Sequence, residues 1–123
     1  MVKLAFGKDP MDVYSKPIGI TETKLSRMFQ MQAREKPEKP GRSLSVVWDA
    51  RIPLIGGFEN KYSYLVSFTK KGNLAGNHYH RHKQELFIPV VDDFVIILED
   101  VETKEREELT ISTKDHSVIY IPT

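Results

Sequence analysis

Gly76-Asn77-His78-Tyr79-His80-Arg81-His82-Lys83-Gln84-Glu85 decides how this chain is read. Three histidines stand at i, i+2 and i+4, and a carboxylate follows them. Side chains two apart on a β-strand point to one face, so a strand here aims His78 and His80 into a common cavity. Imidazole and carboxylate are ordinary ligands for Zn, Mn, Fe, Ni or Cu. They are also the usual groups for moving protons near neutral pH. The metal chemistry requires His78, His80 and Glu85 to converge within about 2.0–2.2 Å of a zinc-like ion. The proton chemistry requires one of the two imidazoles to act as a base.

Outward from this stretch the chain reads as short strands separated by turn signals. Residues 62–68 alternate, with Tyr62, Tyr64, Val66 and Phe68 on one face. Residues 70–76 form a turn, 78–82 the next strand and 85–91 the one after, broken at Asp92-Asp93. Residues 94–98 are apolar on both faces, which predicts a central strand. Residues 99–107 read as a charged hairpin tip, 109–111 as the returning strand, and 118–121 as a last strand stopped by Pro122. Upstream, 44–48 is β-rich and 52–57 is a Pro/Gly turn. Residues 33–42 are a loop, and 25–32 fit a strand or a short helix equally. Residues 1–24, punctuated by Gly7, Pro10, Pro17 and Gly19, read as an arm. The spacing predicts an all-β chain folded as an antiparallel sandwich or barrel.

A chain of 123 residues is one domain by size. It can bury roughly two-thirds of its unfolded surface, so it needs neither disulfide nor metal to fold. The absence of cysteine removes thiol catalysis and Cys-ligated zinc. A formal charge of +1, with 28% charged residues, argues against a nucleic-acid partner. No apolar run reaches membrane-spanning length and no signal-peptide core opens the chain, so the expectation is a cytoplasmic protein with no membrane partner.

The pattern resembles the cupins, small jelly-roll β-barrels. Their first motif runs Gly, five residues, His-x-His, three or four residues, Glu, six residues, Gly. Gly72, His78, Tyr79, His80 and Glu85 match it, and Asp92 stands at the final glycine. Asp tolerates the turn geometry such a glycine serves. Pro122 fits the proline of the second motif, and His116 stands where that motif's first glycine would be. The chain ends at Thr123, before the motif's histidine, so the second motif reads as truncated.

A narrower resemblance is to the cupins of nucleotide-sugar metabolism, the 3,4-ketoisomerases, 3,5-epimerases and capsule-synthesis members. Gly41 to Val46, Ile52-Pro53-Leu54, Tyr62-Ser63-Tyr64 and Ala75 to His80 approximate their successive motifs, and Ile119 to Thr123 is similar to the capsule-type ending. The resemblance divides the chain into an arm and first strand, 1–40, and a cupin double-stranded β-helix, 41–123. Ala75 stands where those enzymes carry a phosphate-binding Arg, so anion binding falls to Lys70, Lys71, Arg81 or Lys83.

The resemblance implies an isomerase or epimerase acting on a dTDP-keto-sugar for surface-polysaccharide synthesis. His78 or His80 is then the base, with Tyr62 or Tyr64 as acid or hydrogen-bond donor. Lys71, Arg81 and Lys83 are candidates for substrate binding. His78, His80 and Glu85 would hold a divalent ion (Zn, Mn, Fe or Ni), or the site works without one. Two other classes stay open: a non-catalytic cupin that binds a sugar or small anion, and a metal-dependent oxygenase. The plainer reading of the tyrosines is barrel lining. His82 is expected at the rim, His116 in a solvent-facing turn, and Trp48 in core or interface. The two-sided run 94–98 is expected under a second sheet or against another subunit, and a homodimer is expected.

Overall fold

The structure, a computed structural model, describes residues 12–123. Within them a four-stranded antiparallel sheet carries the core, in the order β1 (Pro17–Glu22), β2 (Arg27–Met31), β8 (Ser117–Ile121), β5 (Glu85–Phe87). Two hairpins stand beside it: β3 (Ala33–Glu35) with β4 (Ser43–Ser45), and β6 (Phe94–Glu99) with β7 (Arg106–Ile111). The class is all-β. The ladders make three separate sheets and do not close into one barrel among the described residues.

Register explains the core. Phe29 lies opposite Val118, and Tyr120 lies opposite both Arg27 and Leu86. With a side-chain period of two, Phe29, Met31, Val118, Tyr120 and Leu86 therefore share one face. Leu54, Ile55 and Ile88 pack against that face, so the Pro/Gly turn at 52–57 serves as a lid on the sheet. Phe29 is 2% exposed and Val118 fully buried, each contributing about 1.5–3 kcal/mol of burial. Trp48 stacks at a tilt on Phe58 at 5.2 Å, and Phe58 meets Tyr120 edge-on at 6.4 Å, tying the 48–58 segment to β8.

Two polar clasps hold the periphery. The Glu107 carboxylate, on the inner face of β7, accepts hydrogen bonds from Thr23 Oγ1 (2.8 Å) and the backbone N–H groups of Lys24 (3.0 Å) and Leu25 (3.1 Å). The β1–β2 turn thereby grips the β6–β7 hairpin. Burial pushes the Glu107 pKa up, but the donors from Thr23, Leu25 and Lys24 outweigh it and leave the group below the ordinary carboxylate value. The second clasp joins the short 3-10 turn Asp12–Ser15 to the 49–51 turn. Arg51 donates to Asp12 and Asp49, each at 2.9 Å, and Ser15 donates to Asp49 at 2.7 Å. Arg51 above all holds Asp49 at a pKa of about 2.

Several expectations change. The choice left open at 25–32 resolves as a strand over Arg27–Met31, because Met28 and Phe29 find partners on both β1 and β8. Part of the expected arm, Pro17–Glu22, is a paired strand; its residues 1–11, with Gly7 and Pro10, lie outside the described residues. Residues 62–68 and 78–82 join no ladder. β6 is not central: among the described residues it pairs with β7 alone, and Val95 and Ile97 remain 49% and 51% exposed on its outer face. Asp92 adopts φ 62°, the left-handed conformation its glycine-like position requires.

Candidate functional site

The start of β5 anchors the site. Glu85 pairs with Ile121 in the sheet, which fixes its backbone and leaves its carboxylate at the sheet edge, mostly shielded. Upstream, Gly76 (φ 90°) and Asn77 (φ 60°) are successive left-handed residues that turn the chain just before His78. Past this turn the rings of His78 and His80 meet edge-on, with centroids 4.6 Å apart. Their Nε2 atoms are 3.1 Å apart, and His80 Nε2 is 3.5 Å from Glu85 Oε1. The structure thus brings together the three groups that the sequence pattern singles out.

Lys83 completes the cluster. Its Nζ lies 2.9 Å from Glu85 Oε1 and sits above the rings of Tyr62 (5.4 Å) and Tyr64 (5.3 Å), which stack at 5.8 Å. The hydrogen bond to Glu85, then that to Tyr62, raises the Lys83 pKa above its ordinary value. Lys83 is therefore a fixed cation and hydrogen-bond donor rather than a base. The link was latent in the sequence: Lys83 and Glu85 have the same parity, so an extended chain puts them on one side.

Chemically, two Nε2 atoms at 3.1 Å can share one proton, one ring donating and the other accepting. The spacing also suits two lone pairs directed at one ion, since nitrogens about 2.0–2.1 Å from a metal lie roughly 3 Å apart. His78 and His80 would be the ligands. Lys83 holds Glu85 Oε1, and among the described residues no three His, Asp or Glu groups are set to hold an ion together.

The setting differs from the expected barrel interior. His78 is exposed, His80 half-buried, and Tyr62 and Tyr64 are 65% and 59% exposed, so the tyrosines do not line a core. The site is an open face because the tyrosine segment and the histidine loop lack a ladder among the described residues. Lys71 and His82 are exposed and contribute nothing to the cluster. Arg81 turns to Tyr79, donating to its hydroxyl at 3.3 Å and lying over its ring.

His116 is the residue that sequence reasoning misplaced. It is half-buried, its Nδ1 is 3.0 Å from Ser45 Oγ, and its carbonyl accepts from Met31 N–H. No local signal marks this contact, because Ser45 lies 71 residues away.

An all-β chain carrying a partly exposed His-His-Glu-Lys-Tyr cluster is the class that fold and site define. A family model described as the polysaccharide biosynthesis C-terminal domain matches residues 58–123, which include the whole cluster and strands β5 to β8. The chain belongs to that family. No curated protein and no solved structure matches it. No helix among the described residues is long and apolar enough to cross a membrane.

Proposed function

We propose that the chain is a cupin-like isomerase or epimerase of polysaccharide biosynthesis that moves a proton on a nucleotide-linked keto-sugar. The observation that carries this reading is the His78–His80 pair at 3.1 Å, backed by Glu85. Shifting a carbonyl to the neighbouring carbon removes one C–H proton, passes through an enediol and returns a proton to the other carbon. That chemistry needs a base active near neutrality and a donor for the enolate oxygen. His78, the more exposed imidazole, takes the proton. His80 shares it, and the Glu85 carboxylate offsets the charge. Tyr62 or Tyr64 donates to the oxygen, with the Lys83 ammonium adjacent. Lys71 and Arg81, both exposed, are the candidates for the phosphates. The protein acts in the cytoplasm as a homodimer, and the apolar outer face of β6 is available for the contact.

The test incubates the full chain with dTDP-4-keto-6-deoxyglucose in D2O. Deuterium is expected at C3 by NMR, and His78→Ala and His80→Ala are each expected to slow its entry by about 10²–10⁴-fold. Wild-type protein that leaves C3 protonated overturns the proposal.

A second reading rests on the same spacing: a divalent ion held by the two Nε2 atoms. Untagged protein should then retain Zn, Mn, Fe or Ni by elemental analysis, and His80→Ala should lose it. A dTDP-induced rise in melting temperature without exchange at C3 would favour the non-catalytic binding module.

A further inference from the structure

We propose a second binding site, for a neutral ligand the size of one sugar ring, in the groove between β4, the segment after β5 and the turn leading into β8. The groove is about 270 Å³, just below the usual range of ligand pockets, and has room for a single ring but not for a nucleotide-sugar. Its walls differ in chemistry. Val47, Ile88, Pro89 and Val90 form an apolar side; Ser45, Thr113, His116 and Ser117 offer hydroxyls and an imidazole. No Asp, Glu, Lys or Arg lines it, so nothing there offsets the desolvation of a charged ligand. A pyranose matches both walls, with C–H groups on one face and hydroxyls around its edge.

The backbone at His116 gives independent support. His116 adopts φ 49° and ψ 43°, a left-handed conformation that glycine takes without strain and histidine does not. It is held there by its N–H bond to Thr113 O (3.3 Å) and by the Met31 N–H bond to its carbonyl (3.0 Å). An imidazole on a backbone suited to glycine is a candidate for a working side chain. The ring is fixed through Nδ1 by Ser45, and its Nε2 has no hydrogen-bond partner among the described residues. With Ser45 donating to Nδ1, Nε2 carries the proton and is free to donate to a ligand hydroxyl.

None of these lining residues belongs to the His78–Glu85 cluster, so the two sites fail or hold separately. The experiment is an amide-resolved NMR titration of the full chain with methyl glycosides of glucose, galactose, rhamnose and N-acetylglucosamine, taken to tenth-molar concentration. Saturable shifts are expected at residues 45–47, 88, 90 and 113–117, with a millimolar Kd for at least one glycoside. Val90→Trp, which fills the groove, should weaken binding by about tenfold or more with the fold unchanged by circular dichroism. His116→Gly should weaken binding with the fold unchanged by circular dichroism. His80→Ala should leave binding intact. The proposal is overturned if no glycoside gives saturable shifts in this groove, or if Val90→Trp and His116→Gly bind as tightly as wild type.

Discussion

The β1-β2-β8-β5 sheet and the segment 61–84 are both rich in aromatic and branched residues, yet they end in opposite states. In the sheet, Phe29, Met31, Val118 and Ile119 are at most 2% exposed. In the segment, Tyr62, Tyr64, Leu65, Phe68 and Leu74 are all more than half exposed, and the backbone joins no ladder. Intrinsic β-propensity is similar in the two; the difference is whether a partner strand completes the pairing. The sheet holds most of the burial, and the segment holds most of the chemically competent side chains. Elements that carry function are commonly drawn from the less stable parts of a fold.

The sharpest way to break this contrast is a pair of truncations. Phe29→Ala is expected to cost about 3–5 kcal/mol, while Leu65→Ala stays within about 0.5 kcal/mol, both read by urea unfolding. Equal losses would place the segment in the core and end the comparison.

A smaller effect comes from the Asp49 clasp on the flank of the sheet. Its pKa is about 2 against an ordinary 3.8, so its contribution is fully present above pH 3.8 and is lost as pH falls toward about 2. Solvent screening around the partly exposed Arg51 leaves a contribution of about 1–2 kcal/mol. Asp49→Asn should flatten that part of the stability–pH curve, and an unchanged slope would remove the clasp from the account.

Glu107→Gln comes next. It replaces a carboxylate that accepts three hydrogen bonds, and a loss of about 1–2 kcal/mol is expected. Amide exchange at Lys24 and Leu25 should accelerate, while exchange across 61–84 should not change. The Glu107 pKa is also lowered, so its share of stability is present at neutral pH and fades as pH falls through the folded value.

The smallest expected effect lies at the hairpin tip, away from both regions. Lys104 takes φ 64° in a turn organised by the Asp100 carboxylate, which accepts from Glu102 and Thr103 N–H. Lys104→Gly should gain about 0.5–1 kcal/mol with no effect on either site.

Local features of the sequence were read well. The hairpin across 94–111 follows from an apolar run, a charged tip and a returning alternation, all within 18 residues. Asp92 was read as a glycine substitute and has the positive φ. The candidate site was legible as composition: His80 lies beside both His78 and Glu85, with a bend at Arg81-His82 rather than a continuous strand between the imidazoles and the carboxylate. Two apolar faces predict a central strand, whereas β6 pairs with β7 alone among the described residues and its outer face stays about half exposed.

By itself the sequence determined what is short-range: where alternation makes a strand, where a breaker ends it, and which side chains can move a proton or bind an ion. These follow from backbone sterics and side-chain chemistry within a few residues. The tertiary structure alone decided which strands found partners, that Glu107 reaches Thr23 across 84 residues, and that Ser45 orients His116 across 71. Such pairings depend on register and packing between distant segments, and no local pattern encodes them.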